Sequence, residues 1–165
     1  MPLLAYIALG SNLGDSRANV LAAMDRSEKL SAVPLLRSSL WQGAPVDCPP
    51  GSPMFVNAVA GLTPLAGETP ETMLEKLRAL EVEFGRRPKL VLNEARLLDL
   101  DLIAWGDQVR STPTLILPHP RAHLRRFVLQ PLAEIAPRFG FPGIAGRVAD
   151  LLARLPADGA FRKLE

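Results

Sequence analysis

The spacing of apolar and polar residues divides the chain into four predicted strands and two predicted helices. Four short apolar runs have the length and the turn-forming borders of strands: residues 3–9, 35–41, 54–62 and 96–106. Residues 16–30 and 70–84 instead repeat apolar side chains every three or four positions, as amphipathic helices do. Beyond residue 131, two further helical patterns are expected to complete the fold at its periphery.

Border signals fix the ends of the two predicted helices. Asp15 is expected to cap the first helix, while Thr69 and Pro70 begin the second and Gly85 ends it. The resulting order, β-α-β-β-α-β, predicts an α+β protein with the ferredoxin-like arrangement, an antiparallel sheet with both helices on one face. The other face of the sheet is then free for a functional site.

Alternation along two strands predicts which side chains reach that free face. Phe55 and Asn57 of the third strand point towards it, as do Asp99 and Asp101 of the fourth. The opposite side of the two strands is expected to form the core, with Met54, Val56, Ala58, Ala60, Leu62, Leu98, Leu100, Leu102 and Ala104.

The two aspartates of the fourth strand are a candidate metal site. Asp99 and Asp101 lie two residues apart, so their Cα atoms are about 6.5–7 Å apart and their carboxylates leave the same face. Like charges this close repel each other, and a divalent cation between them removes the repulsion. Mg²⁺ prefers carboxylate oxygens and completes its coordination with water and phosphates, and a pair of such ions supports displacement at phosphorus.

A simpler interpretation of the pair is that both aspartates are exposed edge charges, or partners of nearby arginines. The leucines around them argue against an edge, because they are typical of a central strand. The charge distribution bears on the same question. Eight of the 19 lysines and arginines lie between residues 86 and 126, although the net charge is only +2. This cluster indicates an anionic ligand, or else a solvated surface.

Composition bounds the remaining possibilities. The 165 residues suffice for one domain, residues 1–165. The sequence contains no run of about 18 apolar residues, so a membrane role is not expected. The single cysteine and the lack of a basic region at the start predict a cytoplasmic protein. Neither G-x-x-x-x-G-K-[ST] nor G-x-G-x-x-G occurs, so metal ions and basic side chains would have to hold any nucleotide phosphates.

Four segments then carry a family resemblance: "AYIALGSNLGD" at 5–15, "FVNAV" at 55–59, "RLLDLDLIAWG" at 96–106 and "LPHPRAHLRRFVLQPLAEIAP" at 117–137. In order and spacing they resemble the 6-hydroxymethyl-7,8-dihydropterin pyrophosphokinases of folate biosynthesis. The resemblance implies a ferredoxin-like fold and transfer of the β,γ-pyrophosphoryl group of ATP to the pterin hydroxymethyl group, with release of AMP. ATP and the pterin are then the partners of an expected monomer that binds no nucleic acid.

The resemblance also implies roles for individual residues. Asp99 and Asp101 would coordinate two Mg²⁺, and Arg86 and Arg96 would act with them in catalysis. The residues that resemble the family's ATP contacts are Glu81, Lys89, Arg96, His119 and Arg125. Those that resemble its pterin contacts are Gly10, Gly43, Ala44, Val46, Phe55, Asn57 and Phe127.

Some positions depart from the family pattern. Asn93, Glu94 and Ala95 stand where relatives often have Trp, Gly and Pro, and Thr114 occupies a site sometimes held by Arg. Two other functions fit a ferredoxin-like sheet. A non-catalytic ligand- or RNA-binding domain of the RRM type would show RNP-like aromatics and no aspartate pair. A polymerase or cyclase palm would carry metal-binding aspartates but not the "PHPR…RRF" segment.

Overall fold

The structure is a computed structural model that describes residues 3–45, 48–86 and 95–164. Within these ranges the strands are β1 Ala5–Ser11, β2 Leu36–Arg37, β3 Trp41–Gly43, β4 Phe55–Leu62, β5 Asp99–Trp105, β6 Arg110–Ser111, β7 Ile116–Leu117 and β8 Arg162–Lys163. The α-helices are α1 Ser16–Ser27, α2 Pro70–Glu83, α3 Arg126–Ile135 and α4 Val148–Ala153. None of the described helices is long and apolar enough to cross a membrane.

The main sheet is antiparallel throughout, with the order β5-β1-β4-β3-β8 and with β2 also paired to β4. The prediction of a mixed α and β protein built on an antiparallel sheet is confirmed. The prediction that the fourth strand is central is wrong, because β5 lies at one end of this order. The strand β8 and the separate β6–β7 hairpin were not predicted.

One face of the sheet packs against α1 and α2. Ile7 and Leu9 of β1 are buried there with Met24 of α1 and Leu77 of α2. The predicted core side of β4 is confirmed for its four residues within the strand, Val56, Ala58, Ala60 and Leu62. Met54 was assigned to the same side, but it precedes β4 and is exposed.

The second face was predicted to be free, and this prediction is wrong for the part of the sheet that α3 covers. Helix α3 lies on it, and Leu129 and Leu132 are buried against Tyr6, Val59 and Ile103. The reason is that α3 has its own apolar stripe, which must be buried on a second surface of the sheet. Only the other end of this face remains open.

A bulge in β5 changes the side on which its last residues lie. The pairing with β1 passes from Tyr6–Ala104 directly to Ile7–Leu102, so Ile103 has no partner in the ladder. Ala104, predicted to face the first core, therefore packs in the second, and Trp105 packs in the first. Strict alternation predicts the strand only up to such an inserted residue.

The predicted second strand, residues 35–41, is divided into β2 and β3. Between them the Ser38 hydroxyl accepts the Val59 N–H at 2.8 Å, and the Ser38 N–H donates to the Val59 carbonyl at 3.0 Å. A side-chain oxygen thus replaces one backbone acceptor of the ladder, which interrupts regular pairing.

The helix borders predicted from Asp15, Thr69 and Gly85 are confirmed. Asp15 accepts the N–H of Ala18 at 3.1 Å, and Thr69 caps α2 through Thr72. Gly85 follows the end of α2 with φ +94°. The first helix was expected to reach residue 30, but it ends at Ser27 and its last three predicted residues form a 3₁₀ turn. Two helices were expected beyond residue 131, at the periphery of the fold. The second is the short α4, but α3 already begins at Arg126, includes Pro131 and packs on the sheet.

Candidate active site

A cavity of about 570 Å³ opens where α3 leaves the second sheet face uncovered. Twelve of the predicted site residues line it: Gly10, Gly43, Ala44, Phe55, Asn57, Arg86, Arg96, Asp99, Asp101, His119, Arg125 and Phe127. Two others, Val46 and Lys89, lie outside the described residues. The last one, Glu81, is buried and does not reach the cavity wall.

The register of three strands sets the layout of the cavity floor. Gly10 of β1 pairs with Asn57 of β4 on one side and with Asp99 of β5 on the other. Since neighbouring strands are about 4.8 Å apart, Asn57 and Asp99 are separated by about 10 Å across the sheet. A Cβ atom on Gly10 would lie 3.1 Å from the Asn57 side-chain oxygen. The missing side chain therefore keeps the space between amide and carboxylate open.

Asp99 and Asp101 both line the cavity, as their predicted common face requires. Asp99 is paired with two guanidinium groups, Arg86 at 3.1 Å and Arg96 at 3.0 Å. Burial raises the pKa of Asp101 to about 6, and the negative charge of Asp99 adds to this effect. Pairing with nearby arginines, one of the two simpler interpretations, is thus correct for Asp99.

Glu81 holds two of the arginines from behind the cavity wall. Its carboxylate accepts bonds from Arg78 at 2.8 Å and Arg86 at 3.1 Å, and from the N–H of Leu100 at 2.8 Å. Arg78 also donates to the Leu100 carbonyl at 2.8 Å. Both backbone groups of Leu100 are therefore satisfied by side chains of α2, which explains how β5 can lie at the end of the sheet. Glu81 thus lies behind the cavity wall, and its predicted contact with ATP stays a prediction.

The cavity wall is strongly basic. Among the described residues, six arginines line it against three aspartates, and these arginines are Arg78, Arg86, Arg96, Arg121, Arg125 and Arg126. The Nε atom of Arg96 is buried without a hydrogen-bond partner in the described part of the chain. Such a surface favours an anionic ligand. Sequence reasoning gave Arg78 no role, although its spacing from Glu81 on a predicted helix was a usable signal.

His119 lies in the cavity wall as a neutral ring. Burial, together with the positive charges of Arg125 and Arg121, lowers its pKa to about 4. Its Nδ1 atom accepts the backbone N–H of Arg121 at 3.2 Å. The proton of the neutral imidazole is therefore on Nε2, which makes His119 a hydrogen-bond donor at neutral pH.

Aromatic side chains line the same cavity. Phe55 and Phe127 were predicted, and the guanidinium carbon of Arg125 lies 5.2 Å from the centre of the Phe127 ring. Asn57, a residue that is 6% exposed, lines the cavity beside them with its side-chain amide. The structure adds Phe161, which comes from the C-terminal segment and had no sequence signal that distinguished it from a packing residue.

A second cavity of about 230 Å³ adjoins the first and shares Arg78, Asp101 and His119 with it. Its other lining residues come from α2, β5 and the segment from Pro113 to Pro120, and most of them are of apolar type, although the surface that the cavity exposes is more polar than apolar. Two ligands bound in the two cavities would therefore meet at Asp101 and His119.

Asn12, which sequence reasoning used only to mark a turn, fastens the segments that border the main cavity. Its side-chain oxygen accepts the backbone N–H of Arg96 at 2.8 Å, and the backbone N–H of Asn12 donates to the Arg96 carbonyl at 3.0 Å. The amide nitrogen donates to the Pro53 carbonyl at 3.3 Å. One buried side chain thus joins the end of β1 to two loops.

The arrangement of the acidic groups fits an open Mg²⁺ site better than a closed structural metal site such as that of zinc. No cluster of three or more His, Cys, Asp or Glu side chains occurs among the residues that the structure describes. Structural zinc sites require four such ligands, whereas Mg²⁺ binds through one or two carboxylates plus water and phosphates. Asp99 and Asp101, which open into a basic cavity, match the second pattern.

Comparison with known proteins identifies the family. The model of the 7,8-dihydro-6-hydroxymethylpterin-pyrophosphokinase family matches residues 6–137. The chain is 41% identical over 160 residues to a 2-amino-4-hydroxy-6-hydroxymethyldihydropteridine pyrophosphokinase of Pseudomonas aeruginosa, covering 95% of this chain and 94% of that protein. A protein of the same name from Haemophilus influenzae is 39% identical over 134 residues, with 80% and 81% covered.

A crystal structure of Plasmodium falciparum HPPK-DHPS with pteroate has the same fold, with a TM-score of 0.72 at 11% identity. The match covers 93% of this chain and 42% of that longer one. Both the sequence match and the shape agree with the architecture described above. The chain belongs to the 7,8-dihydro-6-hydroxymethylpterin-pyrophosphokinase family.

Proposed function

We propose that this protein transfers the pyrophosphoryl group of ATP to the hydroxymethyl group of 6-hydroxymethyl-7,8-dihydropterin, a step of folate biosynthesis. The products are AMP and the pterin diphosphate. The observation that carries the proposal is the row formed by Asn57, Gly10 and Asp99, which joins an amide and aromatic surface to a carboxylate pair within one cavity. Family membership supports the same reaction.

The pterin is a flat heterocycle with donors and acceptors along one edge. Phe55 and Phe127 offer it aromatic faces, and the Asn57 amide both donates and accepts. Gly10 and Ala44 leave room for the rings, Gly43 lines the same part of the cavity, and Val46 joins them on the strength of the family resemblance. With its edge at Asn57, the pterin would direct its hydroxymethyl group along the row towards Asp99.

ATP would place its purine in the smaller cavity, beside Leu102, Leu115 and Ile116, and its phosphates across the boundary at Asp101 and His119. The Nε2–H of His119 and the guanidinium groups of Arg78, Arg86, Arg96 and Arg125 would hold the phosphate oxygens. The buried Nε of Arg96 has no acceptor among the described residues, which supports a role for this guanidinium group in binding such an oxygen. Lys89 is proposed as a further phosphate contact by resemblance alone.

Asp99 and Asp101 would hold two Mg²⁺ that come with the ATP phosphates. Bound Mg²⁺ supplies neutralisation of phosphate charge and polarisation of the attacking hydroxyl. The chain contributes position and charge. The hydroxyl oxygen of the pterin attacks the β-phosphorus and gives up its proton to water. The bond from this phosphorus to the α,β-bridging oxygen breaks, so that AMP leaves with that oxygen, and the arginines stabilise the charge that develops. The role of Glu81 is to hold Arg78 and Arg86 in place.

We also infer that the frame is the ferredoxin-like arrangement within a single domain, residues 1–165. The order β5-β1-β4-β3 and the shared core of α1 and α2 support it. Action as a monomer on small molecules is part of the same proposal. A cytoplasmic location, where ATP and reduced pterins are available, completes the proposal.

The test is to incubate the purified protein with ATP, Mg²⁺ and 6-hydroxymethyl-7,8-dihydropterin and to separate the nucleotides by chromatography. We expect equal amounts of AMP and pterin diphosphate, and no AMP without the pterin. ADP as the nucleotide product would contradict pyrophosphoryl transfer, and unchanged ATP would contradict the function. Asp99→Asn should lose the activity, while Asp107→Asn, an exposed aspartate just after the same strand, should keep it.

A further inference from the structure

The C-terminal segment forms part of the cavity wall. Strand β8 pairs with β3 through Trp41–Lys163 and Gln42–Arg162. The N–H of Leu164 donates to the Leu40 carbonyl at 2.8 Å, which extends the contact by one residue. This segment lies beyond residues 6–137, the part of the chain that the family model matches. It nevertheless places Phe161 in the lining of the main cavity.

The sheet register brings Phe161 opposite Gly43. Continuing the β3–β8 pairing by one residue places these two residues across from each other, and Gly43 itself pairs with Phe55 of β4. Phe161, Gly43 and Phe55 therefore form a second transverse row, with the glycine between two phenyl rings. A Cβ atom on Gly43 would lie 2.6 Å from the Phe161 ring. The ring thus occupies the space that a side chain at position 43 would need.

The orientation of this ring is fixed from behind. Phe161 stacks on Trp41 with ring centres 5.4 Å apart and planes at 6°. The Trp41 ring is itself held by a 2.7 Å bond from Nε1 to Glu134, and the Lys163 ammonium lies 5.8 Å from its centre. A ring held by such contacts loses little further freedom when a ligand binds beside it.

From these contacts we propose that Phe161 is a third aromatic wall of the pterin cavity and determines how well the cavity binds the heterocycle. The inference rests on the proposed function and deepens it. Its row with Phe55 puts the ring on the pterin side of the cavity, away from the smaller cavity assigned to the purine. An aromatic face at this place adds apolar contact area and a stacking surface for a flat ligand.

The experiment compares Phe161→Ala, Phe161→Tyr and Arg162→Ala with the wild type. Arg162 is the matched control, because it follows Phe161 directly in the sequence, is exposed and is absent from the cavity lining. Dissociation constants for the dihydropterin and for a non-hydrolysable ATP analogue are measured separately by calorimetry, and KM and kcat by AMP release. Loss of the ring should weaken pterin binding and raise the pterin KM by about 5- to 10-fold. We expect the ATP constants and kcat to change less than about twofold, and Phe161→Tyr and Arg162→Ala to resemble the wild type.

A double-mutant cycle with Gly43→Ala tests the contact itself. The added methyl group should weaken pterin binding while Phe161 is present, and should have a smaller effect in the Phe161→Ala background. Equal losses for both substrates in Phe161→Ala, or an unchanged pterin constant, would overturn the inference. If the wild type binds the pterin but forms no AMP, the proposed reaction fails while the binding result still decides the role of Phe161. A wild type that does not bind the pterin would overturn both.

Discussion

Asn57 of β4 and Asp99 of β5 lie on one transverse row of the sheet, with only Gly10 of β1 between them. The distance between the proposed pterin edge and the proposed metal site is therefore set by backbone hydrogen bonding rather than by loops. A rigid sheet can hold such groups more accurately than a loop can, and transfer reactions depend on that accuracy.

The first prediction concerns the open floor of this row. In Gly10→Ala the new methyl group would lie 3.1 Å from the Asn57 oxygen and 3.6 Å from the Phe55 ring. We expect the pterin dissociation constant to rise by about 10-fold or more, because the methyl group enters space that the heterocycle needs. Calorimetry with each substrate separately should show a much smaller change for the ATP analogue. Gly140→Ala, where an added Cβ meets nothing within 4 Å, is the control and should bind like the wild type.

The second prediction concerns Asp101, whose pKa burial raises to about 6 from 3.8. Because the folded-state pKa is the higher one, the stabilising contribution is present below about pH 4 and is lost as the pH rises through about 6. At about pH 7.5 the buried charge therefore destabilises the protein without ligands. Asp101→Asn should be more stable than the wild type there by on the order of 1–3 kcal/mol, and should lose pyrophosphoryl transfer.

Urea unfolding at about pH 7.5 and at about pH 4.5 measures this difference, which should shrink towards zero at the lower pH. Asp107→Asn serves as the control because Asp107 is exposed. A wild type that is more stable than Asp101→Asn at the higher pH would contradict the assignment.

The third prediction separates two roles for Glu81. If it positions Arg78 and Arg86, Glu81→Ala leaves the Leu100 N–H without its acceptor and removes one acceptor from each of the two guanidinium groups. The free energy of unfolding should fall by about 2–4 kcal/mol, as for other buried charged acceptors, and the KM for ATP should rise. Glu83 lies on the same helix as Glu81, and Glu83→Ala removes the exposed partner of Arg26 of α1. This control should lower the free energy of unfolding by less than about 1 kcal/mol. A Glu81→Ala protein of normal stability with lost ATP binding would instead favour direct contact with ATP.

The fourth prediction concerns the charge of His119. With its pKa lowered to about 4, the ring stays neutral throughout the ordinary assay range and donates from Nε2. Between about pH 5.5 and 8, the pH dependence of ATP-analogue binding should therefore be the same in the wild type and in His119→Gln. That variant can still donate from its amide and should bind more tightly than His119→Ala. A binding transition near pH 6.5 that disappears in both variants would show that the ring carries a proton.

Local signals predicted much of the fold. The caps at Asp15 and Thr69 and the stop at Gly85 were readable because each acts on neighbouring backbone groups. The position of β5 at the end of the sheet was not, because its leucines resemble those of a central strand. Its edge is satisfied by side chains from a helix some 20 residues earlier, a long-range arrangement that a strand pattern does not encode.

The site was predictable to the extent that motifs or strand alternation marked it. Asp99, Asp101, Phe55 and Asn57 share the open face because alternation along a strand is a local property. Phe161 was not predictable, because its place depends on which strand edge the C-terminal segment pairs with. The role of Asn12 depends equally on two loops that the chain brings together only on folding.

The inserted Ile103 decides which core receives the last aromatic residue of β5. Before the bulge, Asp99 and Asp101 line the cavity; after it, Trp105 packs in the first core with Leu100 and Leu102. A regular strand of the same sequence would place Ala104 in that core and would turn Trp105 towards the second face. One residue outside the ladder thus allows a single strand to present acids at one end and to keep a large indole ring inside the protein at the other.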